Sequence, residues 1–228
     1  MEQVMLIIRL ALPKDSFPGP DPAMPTTPVE LPGFPDEIPS PPSLPLLHRV
    51  MVRCTRCDLS LSRTKVVPGA GSQQAKLMFV GEAPGANEDR VGVPFVGASG
   101  KLLNAMLEKI GIAREDVFIA NVVRCRPPEN RNPNTREIRA CAGWLAEQIR
   151  LIQPHLVAPL GRFALEHFIP GGKITKLQGE VQRIEYAGGS LSLFPLFHPA
   201  AVLRAPDRRP QYEEHFSRLG ALLKNKKA

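Results

Sequence analysis

The sequence predicts an α/β fold, with a mostly parallel central four-stranded sheet covered by helices on both faces. Three observations predict it. From Leu47 onward, short apolar runs alternate with amphipathic stretches. The run Lys76–Gly81 (KLMFVG) is apolar after its first residue and ends in glycine, as a strand buried on both faces should. Leu102, Leu103, Met106, Leu107 and Ile110 recur at the three-and-four spacing of a helix with one buried face. Strands that alternate with helices fold into a parallel sheet between helical layers.

The elements follow in order. The strand at Lys76–Gly81 leads, through a turn-rich loop, to a helix over Gly97–Ile110. Asp116–Val123 (DVFIANVV) reads as the second strand. Thr135 is placed to cap a helix from about Arg136 to Ile152, since a hydroxyl there can accept from an unpaired first-turn amide. His155–Leu160 is the third strand, with a short helix from Gly161 to Phe168. Ser190–Phe197 (SLSLFPLF) is the fourth, and Gln211–Lys224 the closing helix. In such sheets ligands sit outside the carboxyl ends of the strands, so the loops after these four strands should hold the function.

Ahead of this domain the composition differs. Proline recurs from Pro18 to Pro45, and proline lacks an amide donor and fixes φ. Residues 1–46 are therefore expected to form an extended or disordered arm, and residues 47–228 a single folded domain. The whole chain has 228 residues, 43% of them hydrophobic, which suits one packed domain. A formal net charge of +7 favours polyanionic partners: nucleic acid, acidic membrane or phosphate ligands. No apolar run reaches the ~18 residues of a spanning helix. Met5–Leu12 is apolar but interrupted by Arg9, and the residues before it hold Glu2 and no basic side chain, so a secretory signal is not expected. The chain is read as cytoplasmic, in a reducing compartment where disulfides are the less expected use of cysteine.

Its four cysteines are Cys54, Cys57, Cys125 and Cys141, spaced C-x2-C and C-x15-C. A two-residue gap lets both thiolates face one metal site from a single turn, and the second pair brackets a loop and a helix start. Four thiolates suit zinc or an iron–sulfur cluster equally, and spacing does not separate the two.

After the first strand come Gly81-Glu82-Ala83-Pro84-Gly85, then Glu88-Asp89, then Pro94-Phe95-Val96-Gly97 ahead of Gly100 and Leu102-Leu103. This loop carries neither a phosphate-binding G-K-[ST] nor a G-x-G-x-x-G dinucleotide fingerprint. Together with Asn121-Val-Val-Arg-Cys-Arg-Pro-Pro and Phe197-His198-Pro199-Ala200-Ala201, it resembles the family 4 uracil-DNA glycosylases. The resemblance spans about Val52 to Leu223, with several motifs in order and the cysteines where that family places its cluster ligands.

The resemblance implies a three-layer αβα sandwich, a [4Fe–4S] cluster on Cys54, Cys57, Cys125 and Cys141, and excision of uracil from DNA by an enzyme expected to be a monomer. A base inside a duplex must be flipped out to be reached. Phe95 is the expected stacking platform, contributing about 1–3 kcal/mol per base with little sequence choice. Asn121 is expected to donate to uracil O4 and accept from N3–H, a pattern that cytosine reverses. His198 is expected to donate to uracil O2 as charge grows on the departing base. Glu82 is the candidate to position or deprotonate the attacking water, or to stabilise the sugar cation. Related glycosylases outside this family carry an aspartate one position later, where this chain has Ala83, assigned here to the substrate pocket. Glu88 is expected to line that pocket near C5 and exclude the methyl of thymine, and Asp89 to be structural. Leu203 is the expected wedge into the vacated stack, and Arg204, with Arg208 and Arg209, the expected phosphate contact.

Two rival readings remain at this stage. One is a relative that traps uracil-DNA covalently; its inserted histidine has no counterpart in Arg126–Ala140. The other is a zinc-containing, non-enzymatic nucleic-acid-binding module, which would have no need of Glu82, Asn121 and His198 together.

Overall fold

The computed structural model describes residues 38–225. In chain order the helices are α1 (Leu44–Met51), α2 (Leu59–Ser62), α3 (Ala86–Val91), α4 (Ala98–Lys109), α5 (Thr135–Ile152), α6 (Arg162–Phe168), α7 (Ile174–Leu177), α8 (Pro199–Arg204) and α9 (Arg209–Asn225). The strands are β1 (Ala70–Gly71), β2 (Leu77–Gly81), β3 (Phe118–Asn121), β4 (Leu156–Pro159), β5 (Gln182–Tyr186) and β6 (Gly189–Leu193). One sheet runs β1-β3-β2-β4-β6-β5. Its four central strands are the four expected ones, all parallel, in the order β3-β2-β4-β6. The sheet has six strands rather than four, because β1 and β5 pair antiparallel at its two edges. Neither edge strand announces itself: β1 is two residues long, and β5 is only half-buried.

Parallel strands buried on both faces must send alternate side chains to opposite cores. In β2, Met78 and Val80 enter one core beside Trp144 and Leu145 of α5. Leu77 and Phe79 enter the other, with Leu103 of α4 and Phe216 of α9. Phe79 and Phe216 stack there at 6.1 Å.

Two boundaries differ from expectation. The arm was set at residues 1–46. Residues 1–37 lie outside the described residues, but helix α1 starts within that range, at Leu44. Leu44, Leu47 and Met51 are buried at helical spacing, and Pro45 sits in the first turn, where its missing amide has no helical partner to lose. Helix α5 is capped by Asn134, one residue earlier than Thr135. The Asn134 side chain accepts from the Glu137 amide at 2.9 Å, and Glu137 accepts from the Asn134 amide at 2.8 Å. Arg131 then grips the Glu137 carboxylate with both arms.

From β2 the chain moves to β3 on one side; from β4 it moves to β5 and then β6 on the other. The connections leaving β2 and β4 thus diverge, and a crevice opens outside their carboxyl ends.

Candidate functional site

Residues brought to that crevice come from the ends of four strands. Gly81 closes β2 and is paired in register with Asn121, which closes β3. Leu160, just past β4, bridges Leu196, two residues before His198. Sheet pairing alone therefore aligns Glu82, Asn121, Gly161 and His198 along one edge.

Asn121 is buried, 1% exposed, and its Oδ1 has no hydrogen-bond partner. A buried carbonyl oxygen without a donor is costly unless a ligand supplies one. A Cβ at Gly81 would lie 2.4 Å from Asn121 Oδ1 and 2.8 Å from the Phe95 ring, so both side chains close on the same bare glycine. The Phe95 ring in turn lies 5.6 Å from the His198 imidazole, tilted by 37°. The expected platform, amide and imidazole are thus brought together.

His198 caps α8: its Nδ1 accepts from the Ala200 amide at 3.1 Å. Burial, reinforced by the Arg204 guanidinium, lowers its pKa to about 4. The ring is neutral near pH 7, and with Nδ1 accepting, its single proton is on Nε2. Room for this ring depends on Gly161, where a Cβ would come within 2.9 Å of that of His198.

Glu82 is partly buried. Burial raises its carboxyl to about 7, against the pull of the Arg162 and Arg204 guanidiniums. Arg162 opens α6 directly after Gly161; nothing in the sequence marked it, because its closeness to Glu82 arises only from the β2–β4 neighbourhood.

Other expected residues have different surroundings. Glu88 Oε1 accepts from the Val96 and Gly97 amides, both at 2.9 Å, so that carboxylate oxygen holds the Phe95 turn rather than standing open to a base. Ala83 is partly buried against the core containing Trp144. Asp89 is structural as expected: buried, it accepts from the Thr64 and Lys65 amides. Leu203 is 45% exposed on the short helix α8 beside exposed Arg204. Arg208 packs over the Phe197 ring at 4.9 Å, while Arg209 is ion-paired with Glu213.

All four cysteines line one small cavity, with Arg63 and Arg124 in its wall. They reach it from the turn after α1, the exit of β3 and helix α5. Each is a free thiol. Burial raises Cys125 and Cys141, and raises Cys57 to about 12. Arg63 Nη1 donates to Cys125 Sγ, and the Arg124 amide to Cys141 Sγ, each at 3.3 Å. Arg124 is 1% exposed; Nη2 donates to Gln148 Oε1, but Nε and Nη1 have no partner. Among the described residues no three His, Cys, Asp or Glu side chains are grouped so as to hold a metal ion. No described helix is long and apolar enough to cross a membrane.

The sequence profile of the uracil DNA glycosylase superfamily matches residues 68–220. A type-4 uracil-DNA glycosylase of Archaeoglobus fulgidus is 43% identical over 185 residues, 79% of this chain and 93% of the relative. One of Sulfurisphaera tokodaii is 43% identical over 186 residues, 79% of this chain and 84% of the relative. One of Thermotoga maritima is 47% identical over 154 residues, 67% of this chain and 79% of the relative.

Proposed function

The chain belongs to the uracil-DNA glycosylase superfamily, as a type-4 member, and from that premise we propose how its site removes uracil from DNA. The enzyme hydrolyses the N-glycosidic bond of uracil in DNA and leaves an abasic site. The observation that carries the residue roles is the unpartnered Oδ1 of buried Asn121, beside the Phe95 ring at the strand ends. A flipped uracil stacks on Phe95 and gives its N3–H to that oxygen, while the Asn121 amide donates to O4. Cytosine offers no N3–H and would leave the buried oxygen unpaired, so it is rejected.

As the bond to the sugar lengthens, negative charge gathers on the base, and the Nε2–H of neutral His198 donates to O2. The sugar becomes cationic, and the Glu82 carboxylate stabilises that charge and holds the water that adds to it. No aspartate stands at Ala83 to share this task, and that position is left to shape the pocket wall. Leu203 fills the vacated stack, and Arg204 with Arg162 holds flanking phosphates. Glu88 acts on the pocket by holding the Phe95 turn.

Cys54, Cys57, Cys125 and Cys141 would hold a [4Fe–4S] cluster. Two features support the fit. All four thiols line one cavity, so four sulfurs face a common space. The same cavity wall contains a buried guanidinium with two unpaired N–H groups, which an anionic thiolate cluster would satisfy. When bound, the cluster supplies a covalent tie between α1, the β3 exit and α5; hydrolysis needs no electron from it. We place the enzyme, as a monomer, in the prokaryotic cytoplasm, at the nucleoid when it acts.

The test is excision from an oligonucleotide with one central uracil, followed by alkaline strand cleavage. Wild type should turn over many times, and Asn121→Ala should lose about 100-fold or more. A stable protein–DNA adduct without turnover would instead mark a covalent trap, and neither cleavage nor adduct would leave only a binding module.

A further inference from the structure

Phe95 occupies the left-handed backbone region, at φ 54°. An aromatic residue rarely adopts that conformation, and it persists only where the surroundings fix it. Here they do so from three sides. Ahead of the turn, Arg114 Nη2 donates to the Pro94 carbonyl at 2.6 Å, and Nη1 of the same guanidinium donates to Asn104 Oδ1 of α4 at 2.8 Å. Behind it, the Val96 and Gly97 amides both donate to Glu88 Oε1. Beneath it lies Gly100, where a Cβ would stand 1.7 Å from the Phe95 carbonyl oxygen. A cation on the preceding carbonyl and an anion on the following amides thus match the dipoles at both ends of one strained residue.

Arg114 lies at the opposite end of β3 from Asn121 and donates to no group assigned to the base. It sits in the single 3-10 turn Arg114–Asp116 that leads into β3, the strand ending in Asn121. Its guanidinium therefore connects the turn carrying the stacking face, helix α4 and the entrance to the strand carrying the selective amide.

We propose that Arg114 is a positioning residue: with Glu88 it braces residues 94–97, so that the Phe95 ring is fixed as a stacking face before a base arrives. This inference rests on the reading of Phe95 as the uracil platform. A face displaced by about 1 Å forfeits much of the benefit of alignment.

The test uses the holoenzyme and Arg114→Met, which keeps the length of the side chain and removes both donor arms. The expected result is a fall of about tenfold in kcat, with KM for DNA within twofold, and inhibition by free uracil weakened about tenfold. Arg114→Lys, which retains donors but not the two-armed fork, should recover part of the loss. In a Phe95→Ala background, or Phe95→Leu where the alanine variant fails to fold, Arg114→Met should cost less than twofold, because the residue acts through that ring. Amide hydrogen exchange at Val96 and Gly97 should quicken in Arg114→Met, with the strands unchanged. Equal losses in both backgrounds, wild-type kcat in Arg114→Met, or unchanged exchange at those amides would overturn the proposal. Should wild type fail to excise uracil, the functional reading falls, and the exchange rates still decide whether the turn is braced.

Discussion

The uracil slot and the cysteine cavity lie three residues apart on one segment, yet they bury polarity in opposite ways. Asn121 ends β3 with an oxygen that lacks a donor. Arg124, just beyond, turns into the protein with two N–H groups that lack an acceptor. One vacancy suits a neutral base that arrives and leaves. The other suits a resident anion, because a buried guanidinium cannot shed its proton. Pairing partners of the sheet assemble the first place; a turn, a strand exit and a capped helix assemble the second. On the proposed reading, the same physical cost marks a substrate site in one case and a structural centre in the other.

The comparison can be broken by exchanging the two effects. His198→Ala, in the slot, should lower kcat by about 10²–10³-fold with little change in Tm, as loss of a donor aimed at developing charge does. Comparable loss of stability would show that the imidazole is chiefly a cap for α8. Arg124→Leu, in the cavity, should do the reverse: about 3 kcal/mol less stability, or roughly 6–12 °C in Tm, with readier bleaching of the brown cluster absorbance and kcat within a few-fold. Were the cavity to hold no anion, removing an unpaired buried cation would raise Tm, so the sign of the change decides.

Glu82 sharpens the contrast within the slot. Its carboxyl titrates at about 7, so kcat should rise about tenfold between pH 6 and pH 8, and Glu82→Gln should be slow and flat over that range. Stability runs the other way. The folded-state value lies above the ordinary value of 4.5, so the contribution of this group is full below that value and is lost as pH rises through 7. Glu82→Gln should therefore raise Tm at pH 8. The smallest effect is expected at Leu203→Ala, a few-fold rise in KM for DNA, since the side chain lies exposed outside both places.

What could be read from the sequence follows the same division. Three of the four central strands were legible because burial on both faces makes each a short apolar run; β6 was legible from the alternation of serine with leucine. The cysteines and the motifs around Glu82, Phe95, Asn121 and His198 were legible as chemistry concentrated at strand ends. The edge strands were not: β5 is half-buried and β1 too short to show a period. Helix α1 was hidden by the prolines around it, although Leu44, Leu47 and Met51 carry its spacing. The work of Glu88 and Arg114 was invisible, since a carboxylate holding amides eight and nine residues on, or a guanidinium holding a carbonyl 20 residues back, leaves no local pattern. In sequence Arg124 is one of several basic residues around the third cysteine; the fold shows it buried.

The cap that His198 places on its own helix also settles the proton ledger. With Nδ1 committed to the Ala200 amide, the neutral ring has one hydrogen to share and no second one to surrender. It can lean that hydrogen toward the departing base but cannot hand it over without becoming an anion in a buried place. On the proposed reading, uracil then leaves the sugar as an anion and takes its proton from solvent, after the bond has broken.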